Sequence, residues 1–325
     1  MKHHKINKET IKNLFIGFSL ADALGVPVEF QSREQLSKNP VKTMLGFGTY
    51  HQKEGTWSDD SSLAFCLADS LIRGYNLKDI AIKFTQWEDA EIWTPYGKVF
   101  DIGIQTRNSI NNLSKIIHSE DDESLTLLKY ETDEYTNGNG SLMRILPLLF
   151  YIKEKKINEQ FEIIRDVSSL THGHIRSGIS CLIYLKFAEF VSEGYSIRKA
   201  YEKMQYKIQL FFREQEISER EIQHFNRIIE NDISTYLEDE ISSSGYVVHT
   251  LEASLWCLLT TNSYLEAVFK AINLGDDTDT TATVVGGIAG CFYGLNDVPK
   301  EWIESLARKD DIVNLSESYF EKFTS

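Results

Sequence analysis

The chain has 325 residues, a formal net charge of −14 and a composition of 42% hydrophobic and 25% charged residues, which is ordinary for a globular protein. The acidity argues against a nucleic-acid partner, because a phosphate backbone requires a basic face. No uninterrupted apolar run reaches the roughly 18 residues of a membrane span, and the basic N-terminus lacks the apolar centre of a signal peptide, so we expect a cytoplasmic protein that does not bind membranes.

The apolar pattern predicts helices from one end of the sequence to the other. A first helix, with its apolar face starting at Ile11, should break near Gly25 and Pro27. A second should begin at a cap formed by Asp59 or Asp60 and stop at Gly74. Further helical patterns cover residues 80–87, 142–150, 163–170, 178–191, 197–212, 219–237, 251–259, 264–274 and 280–293, with a short one starting at Pro299.

Period-two strand patterns with hairpin turns are absent from the sequence, which therefore predicts an all-α fold. We expect a single domain over residues 1–325. The segment 194–244 is more charged and amphipathic, and we interpret it as a variable helical insertion on the same body. The four cysteines lie far apart in apolar helical runs, which predicts buried free thiols rather than a zinc site or a redox motif.

Two acidic clusters stand at the boundary between a loop and an apolar helix. One is Ser58-Asp59-Asp60 and the other is the segment 276–280. If the fold brings them together, two unit charges at 4 Å repel by about 4 kcal/mol at an effective dielectric near 20, so the cluster needs cations. Oxygen ligands without histidine or cysteine suit magnesium or manganese rather than zinc. The alternative is that each cluster is only a polar helix cap, where Ser and Asp are favoured.

The second cluster leads into a helix with an unusual glycine content. Asp277 and Asp279 are spaced so that both carboxylates can point the same way, and Thr280 adds a hydroxyl. Glycine inside a helix costs about 1 kcal/mol relative to alanine. The glycines at 286, 287 and 290 therefore predict that another backbone packs closely against this helix.

Four more motifs accompany the two clusters, in the order 17–29, 100–103, 137–144 and 171–174. Together the six motifs, from about residue 11 to residue 294, resemble the ADP-ribosylglycohydrolase family, which includes the dinitrogenase reductase-activating glycohydrolases and the ADP-ribosyl-acceptor hydrolases. The resemblance implies a compact orthogonal helical domain with a binuclear centre of two Mg²⁺, or Mn²⁺, in a cleft. The sequence departs from the family pattern at Ser58, where threonine is usual, and at Ala21, where glycine is common.

The resemblance also implies a set of metal ligands by motif position, with Asp276 as a spectator. The implied ligands are Ser58, Asp59, Asp60, Asp277, Asp279 and Thr280.

Cleavage of a glycosidic bond at ribose proceeds through an oxocarbenium-like centre. Two metals can grip the ribose hydroxyls and lower the pKa of a bound water. The family resemblance places Glu29 beside the metals, and we assign Glu29 and Asp60 to orienting that water or moving its proton. Asp101 either holds the ribose or leaving group or is an ordinary helix cap.

The stretch 138–141 offers exposed backbone N–H groups that suit a diphosphate, so Asn139, Gly140 and Ser141 are predicted substrate contacts. By itself the His172-Gly173-His174 pattern indicates capping or core histidines, whereas the family resemblance favours His172 as a contact near the phosphates. Tyr246 is predicted to stack on adenine or to pack in the core.

The leading hypothesis is a hydrolase that releases ADP-ribose from a modified protein or an ADP-ribose-containing small molecule, acting as a monomer. The acceptor linkage stays open among arginine, serine, an O-acetyl ester and a nucleic-acid end, with arginine preferred. A two-metal phosphoesterase is less favoured because the chain lacks the histidine-rich ligand sets common in such enzymes. A non-catalytic ADP-ribose-binding or structural protein is less favoured because every implied ligand position keeps an oxygen.

Overall fold

A computed structural model describes residues 7–324 of the chain, so the N-terminal stretch 1–6 and residue 325 lie outside the described residues. The α-helices within the described range are α1 (Lys8–Gly25), α2 (Arg33–Lys38), α3 (Asp59–Ile72), α4 (Leu77–Asp89), α5 (Ile104–His118), α6 (Asp122–Leu127), α7 (Leu149–Ile152), α8 (Ile157–Ser169), α9 (Ile175–Ser192), α10 (Ile197–Glu214), α11 (Glu219–Gln223), α12 (Asn226–Ile229), α13 (Val247–Leu259), α14 (Tyr264–Ile272), α15 (Thr278–Tyr293), α16 (Lys300–Ser305) and α17 (Lys309–Thr324).

Short 3₁₀ turns connect several of these helices. They are Val26–Val28, Gly48–Tyr50, Leu128–Tyr130, Asn139–Ser141, Leu146–Leu148, Ile233–Thr235 and Glu238–Glu240. Between residues 7 and 324 no β-strand forms, and the only strand-like pairings there are two isolated bridges, Phe47 with Gln52 and Gly138 with Tyr246. The prediction of an all-α fold is confirmed.

Helices α1 and α15 form a closely packed pair at the centre of the fold. A Cβ added to Gly286 would lie 2.5 Å from the Gly17 carbonyl oxygen, and one added to Gly290 would lie 2.2 Å from the Asn13 carbonyl oxygen. These distances are below any real Cβ contact, so the two backbones approach too closely for a side chain at these glycines. The close backbone approach predicted from the glycines of α15 is confirmed.

Helix α1 begins under an Asn7 cap, whose side chain accepts from the Thr10 backbone N–H, and ends at Gly25 as predicted. The segment Lys8–Val28 is long and apolar enough to cross a membrane, which differs from our expectation that no such segment exists. Of its apolar window, 89% is buried inside the fold. This burial is typical of the central helix of a globular core.

Three local predictions were wrong. Helix α3 takes its cap from Ser58, whose side chain accepts from the Asp60 N–H, rather than from an aspartate. The predicted helix over 142–150 is replaced by turns around Pro147, because proline lacks the N–H that a helix interior needs. The predicted helix over 219–237 is broken into α11, α12 and a 3₁₀ turn.

The segment 194–244 packs against α9 and α13 through α10, and against α13 also through the 3₁₀ turn Ile233–Thr235. It is tied internally by the Tyr201 hydroxyl, which donates to the Ile228 carbonyl at 2.7 Å. Arg33 joins it to the site region by donating to the carbonyls of Glu238 and Leu274. All four cysteines are free, and Cys66, Cys181 and Cys257 are buried.

Candidate active site

Three helix ends meet at one point and carry the acidic residues with them. Asp22 lies near the end of α1, Ser58 caps α3, and Asp277 precedes α15. A Cβ on Gly25 would lie 2.4 Å from the Asp279 Cα, so α1 and α15 touch through backbone at this end. The close helix packing therefore places the two sequence clusters side by side.

The carboxylates form two overlapping groups. One carboxylate oxygen each from Asp22, Asp60 and Asp279 lie within 4.8 Å of one another, and the same holds for Glu29, Asp277 and Asp279. Asp279 belongs to both groups. Three oxygens are buried without a hydrogen-bond partner among the described residues: Glu29 Oε2, Asp60 Oδ2 and Asp277 Oδ1.

Burial makes these groups hard to ionise. Burial raises the pKa of Asp22 to about 7, even though hydrogen bonds from Ser61 and Ser58 lower it. Burial, followed by the negative charges of neighbouring carboxylates, holds the pKa values of Asp59, Asp60 and Asp279 well above the usual range. Several buried carboxylates this close together are stable as anions only beside a compensating positive charge.

The donor chemistry of the cluster fits a hard divalent cation. Its ligating atoms are carboxylate oxygens with a threonine hydroxyl beside them, a set that suits Mg²⁺ or Mn²⁺. The three unpartnered oxygens supply lone pairs that no donor among residues 7–324 uses. The residues that would hold such ions are Asp22, Asp60, Asp277 and Asp279, with Glu29 beside them.

The predicted ligands do not all occupy this cluster. Asp60, Asp277 and Asp279 do, and Thr280 donates to Asp60 Oδ1 at 3.2 Å. Asp59 lines the cleft outside both carboxylate groups. The Ser58 hydroxyl accepts the α3 capping bond from Asp60.

Asp22 is a site residue that sequence reasoning did not single out. Its carboxylate accepts from the backbone N–H groups of Ser58 and Ser61 and from the Ser61 hydroxyl at 2.5 Å. These bonds fix the start of α3 against α1. The sequence does contain a pattern that points to Asp22, because an aspartate inside an otherwise apolar helix is costly unless it is paired or binds metal.

A cleft of about 590 Å³ opens above the carboxylates. Glu29, Asp59, Asp101, Asp277 and Thr280 line one part of it.

The glycine-rich turn lines another part of the cleft, together with His172. Asn139 joins the two parts, because its Nδ2 donates to Asp277 Oδ2 at 2.7 Å and to the Thr250 hydroxyl at 2.9 Å. The fold thus unites the carboxylates with a backbone-rich turn in one cavity large enough for a nucleotide-sized ligand.

His172 packs directly under the glycine-rich turn. A Cβ on Gly140 would lie 2.7 Å from its Cε1. Burial, followed by the charge of Arg144, lowers the pKa of His172 to about 3, so the ring is neutral at physiological pH. Its Nδ1 lies 2.7 Å from the Thr171 hydroxyl. Arg144 itself is fully buried and donates to the Gly140 carbonyl, which holds the turn from below.

Ser141 and Tyr246 do not line this cavity. Ser141 is buried and its hydroxyl lies 3.6 Å from Cys181 Sγ, so it faces the core. Tyr246 is half-buried before α13, pairs with Gly138 through a backbone bridge, and packs its ring 5.0 Å from that of His249.

Asp101 and Glu29 share a hydrogen bond, and the Tyr50 hydroxyl bonds to both. Asp101 is not a helix cap, because α5 begins at Ile104 behind Gly103. Burial raises the pKa of Asp101 to about 6 and, together with the charges of Asp101 and Asp277, raises the pKa of Glu29 to about 9. Sequence reasoning missed Tyr50, which lies outside the six motifs.

Comparisons with known proteins agree on one family. A sequence profile described as ADP-ribosylglycohydrolase matches residues 4–325. The chain is 32% identical over 315 residues to ADP-ribosylarginine hydrolase Tri1 of Serratia proteamaculans, covering 95% of this chain and 78% of that protein. It is 25% identical over 300 residues to the ADP-ribosyl-[dinitrogen reductase] glycohydrolase of Rhodospirillum rubrum, covering 91% and 89%.

A solved structure titled "ADP-ribosylglycohydrolase-related protein complex" superposes with a TM-score of 0.77 at 25% identity, covering 97% of this chain and 98% of that one. The profile match spans nearly the whole sequence, and the fold agrees over the same length. The chain therefore belongs to the ADP-ribosylglycohydrolase family of hydrolases.

Proposed function

We propose that the protein is a divalent-cation-dependent hydrolase that cleaves the glycosidic bond at the distal ribose and releases ADP-ribose from arginine side chains of a modified protein. The observation that carries the proposal is Asp279, which belongs to both carboxylate groups at the base of the cleft. The three unpartnered buried oxygens belong to carboxylates grouped with it, those of Glu29, Asp60 and Asp277. With its carboxylates ionised, this arrangement is stable only when positive charge is bound there, beside a cavity of nucleotide size.

A bound cation would orient the ribose hydroxyls and acidify a water molecule. The protein's own residues transfer the proton, contact the leaving group and bind the diphosphate. Glu29, with one oxygen free of partners, accepts or returns the proton of the attacking water. Asp101 is hydrogen-bonded to Glu29 and binds the leaving group, which is the arginine side chain of the substrate. The neutral ring of His172 and the Asn139-Gly140 turn offer uncharged donors to the diphosphate.

Two observations favour arginine as the acceptor. The relatives from Serratia proteamaculans and Pseudomonas putida are both called ADP-ribosylarginine hydrolases, at 32% and 28% identity. Asp101 in its carboxylate form complements a cationic guanidinium, whereas serine and O-acetyl leaving groups carry no positive charge. Serine-linked and O-acetyl ADP-ribose are the alternative substrates.

The test is release of free ADP-ribose from arginine-ADP-ribosylated protein, first with Mg²⁺ and then with excess EDTA. We expect release with Mg²⁺ and its loss in EDTA. Serine-linked and O-acetyl conjugates at the same concentration measure the preference for the acceptor. Faster turnover of either one would overturn the arginine assignment. Absence of turnover on all three, together with binding of free ADP-ribose, would instead identify a non-catalytic binding protein.

A further inference from the structure

We propose that a group of aromatic side chains beside the cleft binds the polypeptide that carries the ADP-ribose. This aromatic rim consists of Phe30, Phe47, Tyr50 and Phe100. The inference rests on the proposed function and adds the part of the site that recognises a protein rather than a nucleotide.

The rim contains two phenylalanines whose side chains stay largely exposed in the folded protein. Phe30 is 68% exposed and Phe47 is 65% exposed. Their φ angles are +65° and +69°, in the left-handed region that bulky residues rarely adopt. A ring that is two-thirds exposed contributes little apolar burial to the core, and a left-handed backbone costs free energy. Features that cost stability and persist are concentrated at binding sites.

The loops that carry these rings are fixed to the catalytic segments. The Phe30 N–H donates to the Asp276 carbonyl at 2.7 Å, and the Asp276 N–H donates back to the Gln31 carbonyl at 2.8 Å. The Thr49 hydroxyl donates to the Glu29 carbonyl at 2.8 Å. The rim is therefore held at a constant position relative to Glu29 and Asp277.

Three of the rings, Phe30, Tyr50 and Phe100, form one connected surface. The Phe30 and Tyr50 ring centroids lie 6.5 Å apart, and those of Tyr50 and Phe100 lie 5.4 Å apart. Phe47 precedes Gly48, where an added Cβ would lie 1.9 Å from the Pro27 carbonyl oxygen, so its loop packs on the segment leading to Glu29.

Contacts along the cleft show which part of the substrate reaches the rim. His172 contacts Gly140, and Asn139 bonds to Asp277. Beyond the carboxylates, Tyr50 bonds to Glu29 and Asp101 and contacts the rings of Phe30 and Phe100.

In the substrate, the diphosphate and the acceptor side chain leave the distal ribose from opposite sides of its ring. With the diphosphate at the glycine-rich turn and the ribose at the carboxylates, the acceptor emerges at the rim. Exposed aromatic residues are typical of the central contacts in protein interfaces. The net charge of −14 further favours approach of a basic acceptor segment.

The test compares two substrates that share the same scissile bond. One is an arginine-ADP-ribosylated protein and the other is free ADP-ribosyl-arginine, which has no polypeptide. The variants Phe47→Asn and Phe30→Asn remove the ring, while asparagine tolerates the left-handed backbone. Tyr206→Asn is the matched control, because Tyr206 is 60% exposed on α10, away from the rim.

We expect each rim variant to raise KM for the modified protein about tenfold. Phe47 lies outside the cleft lining, so Phe47→Asn should change KM for ADP-ribosyl-arginine less than about twofold. The control should leave both values unchanged. Equal losses on both substrates would show that the rings only support the cleft, and no loss on the protein substrate would also overturn the proposal. If the native protein cleaves neither substrate, the proposed function fails and the rim proposal fails with it.

Discussion

Thr280 donates a hydrogen bond from its hydroxyl to Asp60 Oδ1 at 3.2 Å, although 220 positions separate the two residues in sequence. This bond joins the first turn of α15 to the first turn of α3. It brings the two acidic motifs into a single buried cluster.

Asp60→Ala and Asp279→Ala should each reduce ADP-ribose release by at least about a hundredfold while the fold survives. Each variant removes a carboxylate from the buried groups, and the Asp279 variant removes it from both. Steady-state rates with Mg²⁺ measure the loss of ADP-ribose release, and circular dichroism checks that the fold is retained. Asp276→Asn is the matched control, because Asp276 is adjacent but exposed. Full activity in the Asp279 variant would contradict the proposed metal site.

Without divalent cations, the protein should lose stability as pH rises from about 4 to about 9. The folded pKa values of Asp101, Asp22 and Glu29 are about 6, 7 and 9, above their ordinary values of 3.8, 3.8 and 4.5. The folded state therefore binds protons more tightly than the unfolded chain, and this stabilisation disappears as the groups ionise.

Added Mg²⁺ should restore the stability most strongly at high pH, where the carboxylates are ionised. We expect Mg²⁺ to raise Tm by roughly 5 °C at pH 8 and by less at pH 5. Thermal unfolding in EDTA and in millimolar Mg²⁺ measures both effects. The same Mg²⁺ increment at both pH values would argue against cation binding at these carboxylates.

Tyr50→Phe should lower kcat about tenfold with little change in the affinity for ADP-ribose. The substitution keeps the ring contacts with Phe30 and Phe100 and removes only the hydroxyl that bonds to Glu29 and Asp101. That hydrogen bond lowers the pKa of Asp101, so its loss should move the acid limb of the pH–rate profile to higher pH. An unchanged kcat with an unshifted profile would leave Tyr50 with a packing role alone.

Gly140→Ala should weaken ADP-ribose binding about tenfold. The new Cβ would lie 2.7 Å from His172 Cε1 and 3.0 Å from the Thr106 hydroxyl, so the turn or the histidine must move. Gly103→Ala is the control in the same cleft, since its Cβ would meet Thr106 at an ordinary 3.8 Å and its φ is −59°. Titration calorimetry measures the affinity of each variant for ADP-ribose. Equal affinities for Gly140→Ala and Gly103→Ala would show that the turn is not a ligand contact.

Gly286→Ala should destabilise the fold by about 3 kcal/mol, because the added methyl meets the Gly17 carbonyl at 2.5 Å and neither backbone can yield. Gly287→Ala should cost about 1 kcal/mol or less, since its close neighbour is the flexible end of Leu146 and alanine favours the helix. Urea denaturation of both variants measures their free energies of unfolding. A larger loss for Gly287→Ala would contradict the close α1–α15 approach.

The sequence by itself determined the helical class, the break of α1 at Gly25, the close approach at the α15 glycines and the family. Each depends on local information: apolar periodicity, the steric freedom of glycine, or motifs a few residues long. The same local information gave a wrong prediction over 142–150. The apolar pattern there predicts a helix, but Pro147 lacks the N–H that a helix interior needs.

The tertiary structure alone decided the membership of the site. Asp22 joins the carboxylates because α1 packs on α3 and α15, Tyr50 reaches Glu29 because its loop packs on the segment before it, and Ser141 turns toward Cys181. Side-chain direction at these positions depends on contacts between residues far apart in the chain. Sequence periodicity and residue propensity depend only on residues that are close in the chain, so they cannot predict contacts between distant residues.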